Sequence, residues 1–173
     1  MNIEYALMSI RLAQRSDASQ IVKVLYDSFY QTFRTDKNEH SVKAYLDTLN
    51  EDAILQMMVR DDTEFHLIEE ERKILGFVQL LNESPHNRSK ALKVERLYID
   101  PGALGKGLGG QLMNHSIALA EGQGCEEIWL LVLRSNDRGV KFYEKIGFKT
   151  FDTSPGKFKE DAEIDLWMSK SLT

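Results

Sequence analysis

Hydrophobic and polar residues follow two different periods in the first third of the chain. Residues 9–13 alternate like a short strand, and helical spacing then continues to about Phe33. Ser16 has the side chain of an N-cap, so the first helix is expected to begin there. Residues 42–49 repeat at helical spacing, and residues 53–59 form a third helix or continue the second. This part of the chain therefore predicts one strand followed by helices.

The rest of the chain alternates between strand-like and helical segments. The clearest helix spans residues 107–123, because its apolar residues form one wide face and Gly124 follows it. A shorter helix is expected at residues 136–146, ending at Gly147. Residues 127–133 are apolar enough for a strand that is buried on both faces. Five more strands are expected at residues 65–68, 74–81, 92–99, 148–151 and 162–168.

This order of elements predicts an α/β (α+β) protein. Strands and helices are mixed along the chain, so the sheet should contain parallel and antiparallel strands, with helices on both faces. The sequence has neither an internal repeat nor a linker-like segment, which predicts a single domain over residues 1–173.

The composition is that of a soluble globular protein. Of 173 residues, 42% are hydrophobic and 28% charged, and no apolar run approaches the roughly 20 residues that cross a bilayer. The formal charge of −5 argues against a nucleic-acid partner. The first residues lack a signal-peptide pattern and Cys125 is the one cysteine, so we expect a cytoplasmic protein without a membrane partner. The four histidines lack metal-ligand spacing, so no metal site is predicted.

A glycine-rich segment joins the strand at residues 92–99 to the long helix. This glycine loop consists of Gly105, Lys106, Gly107, Leu108, Gly109 and Gly110. Free backbone N–H groups at a helix start bind anions, and glycine lets a phosphate approach the backbone closely. Lys106 adds a positive charge. The loop therefore predicts a phosphate-bearing ligand, and the alternative is a merely flexible connection.

Two known phosphate-binding patterns fit this loop poorly. Gly105, Gly107 and Gly110 match the spacing of the dinucleotide fingerprint, but residues 100–104 separate them from the strand, which the fingerprint follows directly. A Walker A loop is excluded, because Lys106 precedes a glycine and not Ser or Thr. A nicotinamide nucleotide therefore stays a minor alternative.

Residues 94–112 resemble motif A of the GNAT N-acetyltransferases, a strand followed by Gln/Arg-x-x-Gly-x-Gly/Ala. Gly107 and Gly109 stand at the two glycine positions of the motif, whereas Leu104 replaces the expected Gln or Arg. That replacement affects one side-chain contact to the coenzyme and leaves the backbone donors of the loop in place.

Residues 136–148 are similar to motif B of the same family. The matching residues are Asn136, Phe142, Tyr143, Gly147 and Phe148, with Gly139 in place of the usual Ala. Because both motifs occur in the right order and spacing, the chain is identified as a member of the GNAT family. Residues 94–99 and 29–34 also resemble, more weakly, the bacterial spermidine/spermine N-acetyltransferases.

The resemblance implies the GNAT fold, with a mixed central sheet of about seven strands, and direct transfer of acetyl from acetyl-CoA to a primary amine. A polyamine such as spermidine or spermine, another small amine or a peptide would be the acceptor, and a homodimer is compatible with the family. The glycine loop would hold the pyrophosphate. The backbone of Leu97, Tyr98 and Ile99 would contact the pantetheine and stabilise the oxyanion, and Asn136 would bond the pantetheine besides capping its helix.

The resemblance also implies a general acid, and the residues suggest a base. Tyr143 is at the position that protonates the CoA sulfur, the alternative being a core tyrosine. Glu95 is our candidate base, because it lies on a partly apolar strand. An ion pair with Lys93 or Arg96 is the alternative for this carboxylate. Glu83, at the end of the preceding strand, is a second candidate base.

Two further questions stay open from the sequence. Phe29, Tyr30 and Phe33 either line an acceptor pocket or belong to the core. A non-catalytic module that binds acyl-CoA as a sensor or scaffold is an alternative function, which Leu104 favours and Tyr143 disfavours.

Overall fold

A computed structural model describes residues 8–87, 90–157 and 163–173 of the chain. Its strands are β1 Ser9–Leu12, β2 Thr63–Glu70, β3 Lys73–Leu81, β4 Ala91–Ile99, β5 Glu127–Leu133, β6 Lys149–Pro155 and β7 Ile164–Ser171. Its helices are α1 Ala18–Phe33, α2 Glu39–Asp47, α3 Glu51–Met58, α4 Leu108–Gly122 and α5 Asp137–Ile146. Ala162, with which the last predicted strand begins, lies outside the described residues.

The described strands form one sheet in the order β1-β2-β3-β4-β5-β7-β6. Strands β1 to β4 pair antiparallel with their neighbours, and so do β5, β7 and β6. The pair β4–β5 is parallel. A parallel pair needs a crossover, and α4 provides it. The predicted mixed α/β sheet with about seven strands is confirmed.

Helices cover both faces of the sheet, as predicted. On one face, α1 packs on β3, α3 packs on β2 and α2 packs on α1, around fully buried residues such as Ile21, Ile54 and Phe77. On the other face, α4 and α5 pack on the centre of the sheet around Leu112 and Ile128. In the described part of the chain, none of the helices combines the length and the apolar character that spanning a bilayer requires.

The expected start of the first helix was wrong. Ser16 lies inside a short 3₁₀ turn, Arg15–Asp17, and α1 begins only at Ala18. Asp17 determines this geometry, because its buried carboxylate accepts hydrogen bonds from Arg11 at 2.7 and 2.9 Å. The same carboxylate accepts the backbone N–H of Gln14.

The structure also answers two expectations about the third helix and about the burial of β5. Residues 51–58 form a separate helix, because the side chain of Asn50 accepts the N–H of Ala53 and caps a new start. Strand β5 is not buried on both faces along its whole length, since Leu131 is 38% exposed. Leu131 follows Leu130, the last residue of β5 that pairs with β4.

Candidate active site

The parallel strands β4 and β5 separate halfway along their length. Their ladder runs from the pair Ala91 and Glu127 to the pair Val94 and Leu130 and then stops. A cavity of about 200 Å³ opens at this separation. It is lined by Phe29, Phe33, Tyr45, Lys93, Val94, Glu95, Arg96, Leu97, Tyr98, Leu131, Val132, Leu133, Asn136, Tyr143, Lys157 and Asp165. The sheet therefore has a gap in which strand backbone and side chains of several elements meet.

A β-bulge brings two consecutive charged residues to this cavity. Across the β3–β4 ladder, Leu80 pairs with Val94 and Gln79 pairs with Arg96, so Glu95 has no opposing residue. A bulge places two residues against one and re-aims their side chains. As a result, both Glu95 and Arg96 line the cavity.

The glycine loop lies beside the C-terminal end of β4. Gly105 and Gly107 have φ values of +83° and +76°, a left-handed conformation that glycine adopts without strain. Gly107 is the N-cap of α4, and the N–H of Gln111 is the first that bonds back to it. The N–H groups of residues 108–110 make no hydrogen bond within the described part of the chain. This is the donor arrangement that binds a phosphate at a helix start.

Helix α5 carries the two polar residues of motif B. The side chain of Asn136 accepts the N–H of Gly139 at 3.0 Å, so the predicted helix cap is present. A Cβ at Gly139 would lie 2.6 Å from Asn136 Nδ2, which explains why this chain has glycine in place of the usual alanine. Both Asn136 and Tyr143 line the cavity.

Tyr143 combines a packed ring with an unbonded hydroxyl. Its ring meets Phe142 and Phe148 edge to face, with centroids 5.1 and 5.8 Å away. Its hydroxyl makes no hydrogen bond to the described part of the chain. Burial raises the pKa of the phenol to about 12, so the group is a neutral O–H donor at physiological pH.

Glu95 is ion-paired, which was the alternative to a base in apolar surroundings. Its carboxylate lies 3.1 Å from Lys93 Nζ and 3.7 Å from the Arg96 guanidinium. The Lys93 ammonium also lies 3.1 Å from Glu83 and over the ring of Trp129. The second candidate base, Glu83, therefore shares the same cation, and it is not among the residues that line the cavity.

A cationic pair that the sequence did not reveal flanks Tyr45 of α2. Arg96 donates to Gln79 Oε1 at 2.5 Å and to the Tyr45 hydroxyl at 3.1 Å, and Lys157 Nζ lies 3.6 Å from the Tyr45 ring centroid. Burial alone raises the pKa of the Tyr45 phenol, but the charges of Arg96 and Lys157 outweigh it and bring the pKa below its ordinary value. The cavity wall is therefore more polar than its aromatic residues suggest.

The aromatic residues of α1 divide between the two interpretations. Phe29 and Phe33 line the cavity, and Phe29 is also part of the core. Tyr30 is not among the lining residues, and its hydroxyl donates to Glu39 at 2.5 Å.

Comparison with known families agrees with this geometry. Residues 22–148 match the model of the acetyltransferase (GNAT) family, which is more than half of the chain. The chain belongs to the GNAT family. The prediction of an acetyl-CoA-dependent N-acetyltransferase, made from motifs A and B, is thereby confirmed at the level of the family.

Individual GNAT relatives align along almost the whole chain. An N-acetyltransferase of Lactobacillus delbrueckii subsp. lactis is 22% identical and aligns over 96% of this chain and 99% of its own length. Spermidine N(1)-acetyltransferase of Thermoplasma acidophilum is 25% identical, with 91% and 95% covered. The PaiA N-acetyltransferase structure of the same organism, in complex with coenzyme A, superposes with a TM-score of 0.82 at 23% identity, covering 96% and 99% of the two chains. The last likeness confirms the fold.

Proposed function

We propose that this GNAT protein transfers acetyl from acetyl-CoA to a primary amine by direct attack in a ternary complex. The observation that carries the proposal is that Tyr143 and the separated strands β4 and β5 line one cavity, and that a Cβ at Gly109 of the glycine loop would lie 3.7 Å from Leu97, which lines the same cavity. A binding module needs the loop and the gap, whereas it has no use for an unbonded phenol inside the cavity.

Each part of the site has a matching part of acetyl-CoA. The N–H groups of residues 108–110 would bind the pyrophosphate. Gly105 and Gly107 would give the loop its conformation, and Lys106 would add a positive charge beside the phosphates. Leu97 and Tyr98 line the cavity and Ile99 does not, but all three lie beyond the last pair with β5, so the β5-facing backbone edge of these residues would bond the pantetheine amides. Asn136 would add its amide to that contact, since its Oδ1 accepts from Gly139 and its Nδ2 still has hydrogens to donate.

The chemistry then uses donors that the chain supplies. The neutral amine attacks the thioester carbonyl carbon, and the negative charge that forms on the oxygen is stabilised by N–H groups of β4. When the C–S bond breaks, Tyr143 donates its proton to the sulfur. A phenol with a pKa of about 12 matches this role, because it stays protonated until the thiolate forms.

The acceptor is proposed at the level of a primary amine. The spermidine acetyltransferase relative supports polyamines as the first acceptors to test. Cytoplasmic location, a homodimer, and the absence of nucleic-acid and membrane partners stay predictions. Membership of the GNAT family removes the basis for a nicotinamide nucleotide.

Two measurements test this function. Titration calorimetry with acetyl-CoA is expected to show binding, and NADH is the control that should not bind. Release of CoA thiol is then followed with spermidine, spermine, small amines, amino acids and peptides. We expect at least one amine to be turned over. Binding of acetyl-CoA without turnover of any amine would favour the sensor or scaffold, and failure to bind acetyl-CoA would contradict the proposal.

A further inference from the structure

Asp165, the second residue of β7, is a carboxylate in the cavity that belongs to neither family motif. It is half-buried and lines the cavity together with Tyr143 and Asn136. In the sheet it pairs with Leu133 of β5 on one side and with Ser154 of β6 on the other. Leu133 is in the part of β5 from which β4 has separated. The carboxylate therefore stands at the open end of the gap.

The Asp165 carboxylate has no partner within the described part of the chain. It makes neither a hydrogen bond nor an ion pair there. Burial raises its pKa, the charge of Lys157 opposes this shift, and the charge of Glu163 adds to it. A half-buried acceptor group that the described residues leave unbonded is available to an N–H donor from a ligand.

The two carboxylates that the sequence suggested as bases are already engaged. Glu95 lies against Lys93 and Arg96, and Glu83 lies against the same Lys93. If Glu95 took up a proton, Arg96 and Lys93 would lose a partner on the cavity wall. Asp165 can take up a proton without breaking any contact of this kind.

We propose that Asp165 receives the ammonium group of the acceptor and removes its proton, acting as the general base of the reaction. This inference rests on the proposed acetyl transfer to a primary amine. It assigns the general base to β7, whereas the sequence suggested Glu95 of β4.

The proton balance is complete with Asp165 and Tyr143. An N–H bond of the ammonium breaks and its proton goes to the Asp165 carboxylate, which later releases it to solvent. The amine electron pair forms the C–N bond, and the C–S bond breaks with its electrons on sulfur, which takes the Tyr143 proton. The second proton that leaves the nitrogen restores the Tyr143 phenol through water. One proton thus ends on CoA and one in solvent.

Several titratable or charged groups face this carboxylate or share its cavity. They are Lys157 after β6, Glu163 before β7, Tyr143 of α5, Tyr45 of α2, and Lys93, Glu95, Arg96 and Tyr98 of β4. Lys157 and Glu163 act on Asp165 in opposite directions. The pH profile must therefore be compared between variants and not interpreted from one enzyme alone.

The test is the pH dependence of kcat/KM for Asp165→Asn beside Glu95→Gln. Spermidine is the acceptor, or the amine of the panel that is turned over fastest. With a general base, the wild type should show a plateau across neutral pH, since it uses the ammonium form. Asp165→Asn should lose about 100-fold at pH 7. The kcat/KM of this variant should show no plateau and should rise about tenfold per pH unit as free amine forms, until the pH approaches the amine pKa of about 10.4.

Two controls separate this role from a structural one. Asp165→Asn should keep the melting temperature and the Kd for acetyl-CoA of the wild type, and Asp165→Glu should regain part of the plateau. Glu95→Gln should keep the plateau.

Three results would overturn the inference. They are an unchanged profile in Asp165→Asn, a loss that is equal at all pH values, or loss of the plateau in Glu95→Gln. In each of these cases the wild type is active, so the proposed function survives. A wild type that turns over no amine refutes the function and the base together.

Discussion

Val94 and Leu130 form the last pair of the parallel ladder between β4 and β5, and the two strands separate beyond them. Leu130 is 1% exposed, whereas Leu131, the next residue, is 38% exposed and lines the cavity. Neighbouring leucines on one strand therefore have different roles, the first in packing and the second at the site.

Leu130 and Leu131 give a matched test of the gap between β4 and β5. Leu130→Ala should lower the free energy of unfolding by about 2–5 kcal/mol, because it leaves a hole in the core. Leu131→Ala should cost less than about 1 kcal/mol, since its side chain is partly in water, but it should raise the KM for acetyl-CoA or amine. Denaturant unfolding and steady-state kinetics measure the two effects. Equal losses of stability would contradict a gap at this position.

Tyr143→Phe should reduce kcat by about 100-fold while the Kd for acetyl-CoA changes little, because it removes a proton donor and keeps the packed ring. The melting temperature should stay the same, since the hydroxyl is unbonded in the described structure. In the wild type, the pKa of about 12 predicts that ionisation of Tyr143 causes no loss of kcat below about pH 10.

Tyr26→Phe is the control for this variant, because Tyr26 is 36% exposed and is not among the residues that line the cavity. It should leave kcat unchanged. If Tyr143→Phe kept the wild-type kcat, the general-acid role would be refuted.

Gly107→Ala should destabilise the protein by about 1 kcal/mol, because a side chain at a φ of +76° is strained. It should also weaken acetyl-CoA binding in calorimetry, since the strain is relieved by turning the N–H donors of the loop. Gly122→Ala, at the other end of α4, has open space for its Cβ and an ordinary φ. It should leave binding unchanged, so a loss of affinity in both variants would argue against the loop as the specific cause.

Asp17→Asn should lower the free energy of unfolding by about 1–2 kcal/mol at pH 7, because it removes the charge that Arg11 binds. The hydrogen bond from Arg11 lowers the pKa of Asp17 in the folded protein. This stabilisation is therefore complete above the unfolded pKa of about 3.9 and is lost as pH falls through the folded pKa. The difference between wild type and variant should be constant from about pH 8 to 5 and shrink below about pH 4.

Unfolding at several pH values measures this difference. Asp27→Asn breaks an exposed pair with Lys23 and serves as the control, with a change near zero. A wild-type advantage over Asp17→Asn that did not shrink between pH 5 and pH 2 would show that packing, and not charge, accounts for it.

The parts of the site that depend on local sequence could be predicted. The glycine loop needs residues without a Cβ at positive φ, and Asn136 caps a helix within its own turn, so both leave a short signature. The strands and long helices likewise follow from their periods. The start of α1 was misplaced, because Arg11 of the preceding strand β1 binds Asp17 and this contact has no periodic signal.

The acidic groups of the site could not be assigned from the sequence for a topological reason. Asp165 reaches the cavity because β7 pairs with β5, which precedes it by some 30 residues, and β6 takes the outer position. Glu95 meets Arg96 at the cavity because of a bulge, in which Glu95 is the extra residue of β4 without a partner on β3. Alternation along β4 therefore gave the wrong surroundings for Glu95.

Because the ladder between β4 and β5 stops at Val94 and Leu130, hydrogen bonds join these two strands along only part of their length. Strands β1 to β4 form one ladder system and β5 to β7 another, and four residue pairs connect them. The pantetheine arm has amides like those of a peptide, so in the gap it would act as a short extra strand that hydrogen-bonds to both halves. The cosubstrate then contributes to the cohesion of the fold, and the loaded enzyme should resist amide hydrogen exchange in β4 and β5 more than the free one.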